Sequence, residues 1–345
     1  MKQRKILSVL AALGMTVALL AGCGSKGGDD TTGAGTAENT ETTDTDSGSS
    51  DKVYNIGICQ LVQHDALDAA TQGFKDALVE KLGEDRVVFD EQNASGDSAT
   101  CATIVNQFVS ADVDLILANA TPALQAAASS TDTIPILGTS ITDYATALDI
   151  DDWTGTTGRN ISGTSDLAPL DKQAEMIKEL FPDASTVGIL YCSAEPNSVY
   201  QADSIQTYLE EQGYTCERFT FADSNDLSSV ATSAVSKCDV LYVPTDNTAA
   251  SNAEVINNVC LPAKLPVVTG EQGICAGCGV ATLSIDYYDI GFKAGEMAYD
   301  ILENGTDVTT LEVESASATT KQYVAARAEE LGLEIPDDYE ELVTE

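Results

Sequence analysis

Residues 238–248 read CDVLYVPTDNT. The run begins as an apolar strand and breaks off in Pro, Thr, Asp and Asn, residues that bend a chain by fixing φ or by bonding nearby backbone groups. Those polar residues either form a turn and nothing more, or they form a rim that faces a ligand. The reading depends on whether the pattern recurs.

It recurs through most of the chain. From Val53 onward, short apolar runs alternate with longer spacers: VYNIGIC, RVVFDEQ, VDLILANATP, IPILGTS and NISGTSD, followed by TVGILYC, CERFTFADSND, CDVLYVPTDNT, LPVVTGE and VATLSIDYY. The landmarks keep their order. NIGIC answers VGILYC, NASGD answers ADSND, DLILANATP answers DVLYVPTDN, and IPILGTS answers LPVVTGE. A repeat on this scale sets the architecture. The spacers have helical period, with Leu67, Ala70, Phe74, Leu78 and Leu82 in one and Ile290, Ala294, Met297 and Ile301 in another. Nearly continuous apolar strands separated by such helices predict parallel sheets covered on both faces. The expected fold is therefore α/β, with two doubly wound parallel-sheet lobes joined by right-handed crossovers.

In open sheets of this kind, ligands bind beyond the carboxyl ends of the strands. Polar clusters stand at nearly every such end: Gln60 to His64, Asn119 to Pro122, Thr139 to Asp143, Thr164 to Asp166, Ser193 to Ser198, Thr245 to Thr248, Glu271 with Gln272, and Asp286 to Tyr288. Turn chemistry accounts for any one of them and less readily for all of them on both lobes. Short polar side chains and helix N-termini suit a carboxylate; Ser165 and Asp166 precede a predicted helix over 170–181, and Thr121 opens another. Asp246, Glu271 and Asp286 suit an ammonium group, and the two sets together describe a small zwitterion. Each of these acids has an alternative role as a helix cap.

Catalysis has little support. The chain lacks G-x-S-x-G, a Walker loop and H-E-x-x-H, and its one histidine, His64, opens a predicted helix where it either caps locally or meets ligand. No catalytic residue and no cofactor are expected. Asp151 and Asp152 read as a solvated loop. CAGC, residues 275–278, is the one C-x-x-C; without a second pair or nearby histidines it predicts no metal site, although a local bridge or redox role stays open. Cysteines 59, 101, 192, 216, 238, 260, 275 and 278 are even in number, but a chain of this size does not require disulfide staples; Cys59 and Cys192 end apolar runs as small hydrophobes.

Residues 1–22 combine the basic head MKQRK with the apolar run ILSVLAALGMTVALL, the pattern of a signal peptide. The LAGC that ends at Cys23 resembles the lipobox of bacterial lipoproteins, which implies lipidation of Cys23. Residues 24–52 contain no aromatic, Leu, Ile, Val or Met, so residues 23–52 are expected to be a lipid-anchored tether holding the globular part about 30 Å from the bilayer. Formal net charge is −38, which opposes contact with phosphate backbones and anionic lipid; no nucleic-acid partner is expected, and the membrane is expected to be reached through the anchor alone.

IGICQLVQHDALDAATQGF, QNASGD, ANATPALQAAA, GTSDLAPLDKQ, YVPTDNT and the stretch from GEQG to IDYYDIGFKAGEMA together resemble the ABC-transporter substrate-binding proteins of the tryptophan/tyrosine type. The resemblance runs from about Val53 to the C-terminus. It implies a type I periplasmic-binding-protein-like fold whose two lobes close on an amino acid, often an aromatic one such as tryptophan or tyrosine; presentation of the closed form to a membrane permease and a monomeric state are expected with it. Transferred onto this chain, the family's motifs fall on Gln60, His64, Thr121, Thr142, Asp143, Ser165, Asp166, Ser193, Asn197, Ser198, Thr245, Asp246, Asn247, Glu271 and Asp286. Residues 53–165 with 287–312 are expected to form one lobe and 166–286 with 313–345 the other, with crossings near Ser165, Asp286 and Val313. The cysteine content, CAGC in what reads as a glycine loop, and an inserted-looking LDIDDWTGTTGRN carrying Trp153 depart from the family pattern. An extracellular sensor presenting its ligand to a receptor is the alternative function.

Overall fold

The computed structural model describes residues 52–344. The predicted signal peptide, Cys23 and all of the tether before Lys52 lie outside the described residues. Among those described, no helix is long and apolar enough to cross a membrane.

The first series of runs folds as β1 (Tyr54–Gln60), α1 (Asp65–Leu82), β2 (Val87–Asn93), α2 (Ser98–Ser110), β3 (Leu115–Asn119), α3 (Thr121–Ser130), β4 (Ile136–Ile141), α4 (Tyr144–Leu148) and β5 (Ile161–Ser165). The second gives α5 (Leu170–Leu180), β6 (Thr186–Cys192), α6 (Pro196–Glu211), β7 (Thr215–Phe221), α7 (Ser224–Val235), β8 (Val240–Val243), α8 (Asn247–Ala250), α9 (Ala253–Cys260), β9 (Val267–Thr269), α10 (Gln272–Cys278) and β10 (Ala281–Ser284). The chain ends with α11 (Tyr287–Asn304), β11 (Glu314–Ser315), β12 (Thr320–Tyr323), α12 (Ala325–Leu331) and β13 (Glu340–Glu341).

Two sheets result, ordered β2-β1-β3-β4-β5-β11 and β7-β6-β8-β9-β10-β12-β13. Their first five strands correspond one to one, which is the repeat read from the sequence. All pairings are parallel except that of β10 with β12. The central strands β3, β4 and β8 are buried at every residue, as expected for parallel strands covered on both faces.

Three crossings link the sheets: after β5, after β10, and after β11. The third, expected near Val313, comes beyond Ser315 instead, because Glu314 and Ser315 pair with Thr164 and Ser165 in the first sheet. Helix α11 follows the second crossing and packs on α1. The approach is close: a Cβ on Gly291 would lie 1.9 Å from the Ala70 carbonyl oxygen, and one on Gly73 would lie 2.2 Å from that of Tyr288. Leu67, Ala70, Phe74, Leu78 and Leu82 are all buried along α1, as their spacing predicts. CAGC is not a glycine loop; it is helical, within α10, with both cysteines buried. Asp151 and Asp152 are exposed. Trp153, 39% exposed, stacks on Tyr144 with ring centres 6.4 Å apart.

Candidate functional site

The carboxyl ends of the two sets of parallel strands bring their loops together, and a chain of hydrogen bonds crosses from one lobe to the other. On the first lobe, the Thr142 hydroxyl follows β4 and donates to Asp166 at 3.1 Å. Asp166 lies just past β5 and also accepts from the Tyr287 hydroxyl at 2.9 Å. On the second lobe, the Gln201 amide reaches across to the Thr142 oxygen at 3.4 Å while bonding the Thr245 carbonyl at 3.1 Å and accepting from the Thr245 N–H at 3.2 Å. Asn197, one turn earlier on α6, donates to the same Thr245 carbonyl and to Ser198 Oγ. The spacing of four between Asn197 and Gln201 puts both on one face of the helix.

A second bridge joins the lobes at the rim. His64 Nε2 lies 3.2 Å from Asn247 Oδ1. The amide of Asn247 cannot be turned over, because its Nδ2 donates to Glu195 Oε2, an atom that only accepts. His64 must therefore carry a proton on Nε2. Glu195 receives five hydrogen bonds, from the backbone and side chain of both Asn247 and Thr248 and from Asn197.

The remaining predicted residues are placed as follows. Asp143, Asp246, Glu271 and Asp286 are the N-caps of α4, α8, α10 and α11, each accepting backbone N–H bonds at the start of its helix. Asp246 also ties the end of β6, accepting from Cys192 N at 2.6 Å. Of these four caps, Asp246 and Glu271 are buried, 1% exposed each. Gln60 turns onto α1, where it bonds Asp68 and Thr71. Ser165 bonds the Thr142 carbonyl, Thr121 is buried at the start of α3, and Ser193 is exposed with its hydroxyl on the Phe221 carbonyl. The structure thus gathers His64, Thr142, Asp166, Asn197, Ser198, Thr245, Asp246 and Asn247, and leaves Gln60, Asp143, Ser193 and Asp286 engaged elsewhere. Glu195, Gln201 and Tyr287 join the cluster without having been named individually as site residues; Glu195 and Tyr287 lie within the strand-end clusters Ser193 to Ser198 and Asp286 to Tyr288, and the four-residue step from Asn197 is the one signal that marks Gln201.

Electrostatics give the cluster its character. Asp166, Glu195, Asp246 and Glu271 are all buried, and none takes part in the ion pairs found among the described residues. Burial raises the Asp166 carboxyl to about 6 against the pull of its two hydroxyl donors. Burial likewise lifts Glu271 to about 7, opposed by its backbone N–H donors, and lifts Asp246 to about 8 with the Glu195 charge adding to the effect. Such a site lacks a positive charge and would be relieved by one. Polar capacity is also unspent: Asn197 Oδ1, Asn119 Oδ1 and Ser140 Oγ are buried without a partner. Ser140 and Ala120, at strand ends of the first lobe, hold φ of 57° and 88°, backbone strain of the sort that accumulates at binding sites. Beside Glu195 and Asn247, a cavity of about 270 Å³ opens between Leu61, Val62 and Pro122 of one lobe and Cys192 and Ala194 of the other. No group of three or more His, Cys, Asp or Glu among the described residues is placed to hold a metal ion.

Comparison with known proteins agrees with this geometry. The profile of a family described as ABC transporter substrate binding protein matches residues 55–344. A tyrosine-binding protein of Clostridioides difficile is 38% identical over 317 residues, which cover 90% of this chain and 89% of that protein. A Streptococcus pneumoniae ABC domain solved in complex with L-Trp is 33% identical, superposes with a TM-score of 0.81, and is matched over 85% of this chain and 100% of that one. A ligand-free, open substrate-binding protein with adhesive properties from Clostridium difficile is 36% identical with the same coverage, yet superposes with a TM-score of only 0.66. The better fit to a ligand-bound relative than to a more identical open one accords with lobes drawn together through His64–Asn247 and Thr142–Gln201. The family is one of solute-binding proteins, not of enzymes, and works outside the cytoplasm. With a match over nearly all the described residues and a relative 38% identical along nine-tenths of its length, this chain belongs to the ABC transporter substrate-binding proteins.

Proposed function

We propose that the protein captures an aromatic amino acid, L-tyrosine or L-tryptophan, between its lobes and delivers it to an ABC permease, working as a monomer held to the membrane by a lipid on Cys23. The observation that carries the ligand class is Asp166: a buried carboxylate at the crossing between lobes, met by two hydroxyl donors and no cation. A carboxylate can accept about four hydrogen bonds, so acceptor capacity is left for the amino group of a ligand. The unspent Asn197 and Ser140 atoms and the helix start at Thr121 suit the other end of a zwitterion. The similarity to a tyrosine-binding protein and to a domain solved with L-Trp supports an aromatic side chain.

Function follows from a two-state clamp. A ligand that touches Asp166 at the crossing and Asn197 on the second lobe makes its full set of contacts only when the lobes are together, so its binding energy shifts the population toward closure. The permease reads the closed shape, and the tether raises the local concentration at it. Native mass spectrometry of the soluble part, followed by calorimetry against the amino acids, tests the assignment. Saturable binding of L-tyrosine or L-tryptophan in preference to aliphatic amino acids is the expected result; no binding of either at millimolar concentration defeats it.

A further inference from the structure

Two cysteines of the first lobe are brought together by the way α2 lies on β1. A Cβ on Gly57 would meet the Phe108 ring at 2.6 Å, so the absence of a side chain at Gly57 is what lets α2 rest on that face of the strand. Alternation along β1 puts Cys59 on the same face as Gly57. Cys101 precedes Phe108 by two helical turns and lies on the same side of α2. Because α2 connects the parallel strands β2 and β3 in the first sheet, it runs back against the direction of β1, and its beginning lies over the end of the strand. That is where Cys59 stands. Both cysteines are fully buried, in one apolar cluster with Leu67, Val105 and Ala118. Both are free cysteines, and each acts on the other: Cys101 together with burial raises the Cys59 thiol, and Cys59 lowers that of Cys101.

The protein works outside the cytoplasm, where adjacent thiols are exposed to oxidising exchange partners. We propose that Cys59 and Cys101 form a modification site, converted during maturation into an intrachain disulfide that ties the end of β1 to the start of α2. The co-reactant is a protein or small-molecule disulfide. The thiolate of one cysteine attacks one of its sulfurs and expels the other as a thiolate. The second cysteine, deprotonated, then attacks the sulfur of the first and expels the co-reactant's remaining sulfur as a thiolate. One S–S bond breaks and one forms, the chain loses two electrons, the co-reactant gains them, and the two thiol protons end on the released thiols. Exchange takes place before the first lobe closes over the pair, since neither thiol is accessible afterwards. The bond lies one residue before Gln60, so it stiffens the strand end that opens onto the cleft.

The test uses full-length protein recovered from the cell envelope, denatured and treated with N-ethylmaleimide before and after reduction, with modified positions mapped by peptide mass spectrometry. Cys59 and Cys101 are expected to resist alkylation until reduction, and the unreduced chain to weigh about 2 Da less than the reduced one. A Cys59→Ser variant should leave Cys101 open to alkylation without reduction, and the unreduced wild type should unfold at a higher temperature than Cys59→Ser/Cys101→Ser. Alkylation of both residues in unreduced wild type overturns the proposal, as does a bridge found at Cys275–Cys278 in place of this one. Because the readout is the state of two sulfurs, it is independent of which ligand the cleft binds.

Discussion

Replacing Asp166 by Asn removes one charge from the proposed site while keeping the side chain's shape and an oxygen to accept from Thr142 or Tyr287. Burial holds this carboxyl at about 6 rather than 3.8. A ligand amino group that restores the ionised form would recover that displacement, which at about 1.4 kcal/mol per tenfold change amounts to about 3 kcal/mol. Hydrogen bonds to charged groups contribute about 1.5–3 kcal/mol, a range whose top agrees. Asp166→Asn should therefore weaken binding roughly 10- to 150-fold. Calorimetry with L-tyrosine and L-tryptophan at pH 7.5 reads the effect directly. The same measurement repeated at pH 5.5 in buffers of different ionisation enthalpy adds a second readout. Below about pH 6 the empty wild type holds a proton on Asp166, so binding must release it, and affinity should fall as pH falls. The variant should lack that proton release. Unchanged affinity in Asp166→Asn, or the same release of protons from it, refutes the role given to this carboxylate.

Ligand-free protein should lose stability as pH rises. Asp166, Glu271 and Asp246 hold protons more tightly folded than unfolded, at about 6, 7 and 8, so their protonated forms favour the folded state below the unfolded values and the benefit disappears as pH climbs through the folded ones. Scanning calorimetry should give a higher midpoint at pH 6 than at pH 8.5, and a flat profile contradicts the prediction. His64 acts with the opposite sign: burial lowers it, against Asn247, Glu195, Asp68 and Asp65, so closure binds fewer protons than the open form and is opposed as pH falls through the ordinary histidine value of about 6.5. Small-angle scattering should show the lobes spreading at pH 5.5 in wild type and a smaller pH response in His64→Gln; equal responses in the two proteins would rule this out. Gly291→Ala forces a methyl to within 1.9 Å of the Ala70 carbonyl oxygen, and should cost about 1–3 kcal/mol or more in urea unfolding. An unaltered midpoint there means α1 and α11 can separate without penalty.

Much of the architecture was legible in the residues alone, because its causes are local. Alternation of apolar runs with period-3.6 spacers sets which segments are strands and which faces of the helices are buried, and the order of the landmarks exposes the repeat that both sheets share. The helix caps are local as well: Asp143, Asp246, Glu271 and Asp286 each bond N–H groups two or three residues onward, which is why a capping role could be weighed from sequence for Asp246, Glu271 and Asp286. Which polar residues face one another across the cleft is a different matter. Asp166 and Tyr287 are 121 residues apart, His64 and Asn247 183, Thr142 and Gln201 59. No local rule distinguishes Asp166, which caps nothing, from the four acids that do. The same holds for Cys59 and Cys101, and for CAGC, where Gly277 and the glycines flanking the motif suggested a loop while packing made it a helix. Hydrogen-bond partners of a side chain at a strand end are set by how two lobes meet, and that meeting depends on the packing of distant elements rather than on the residues beside it.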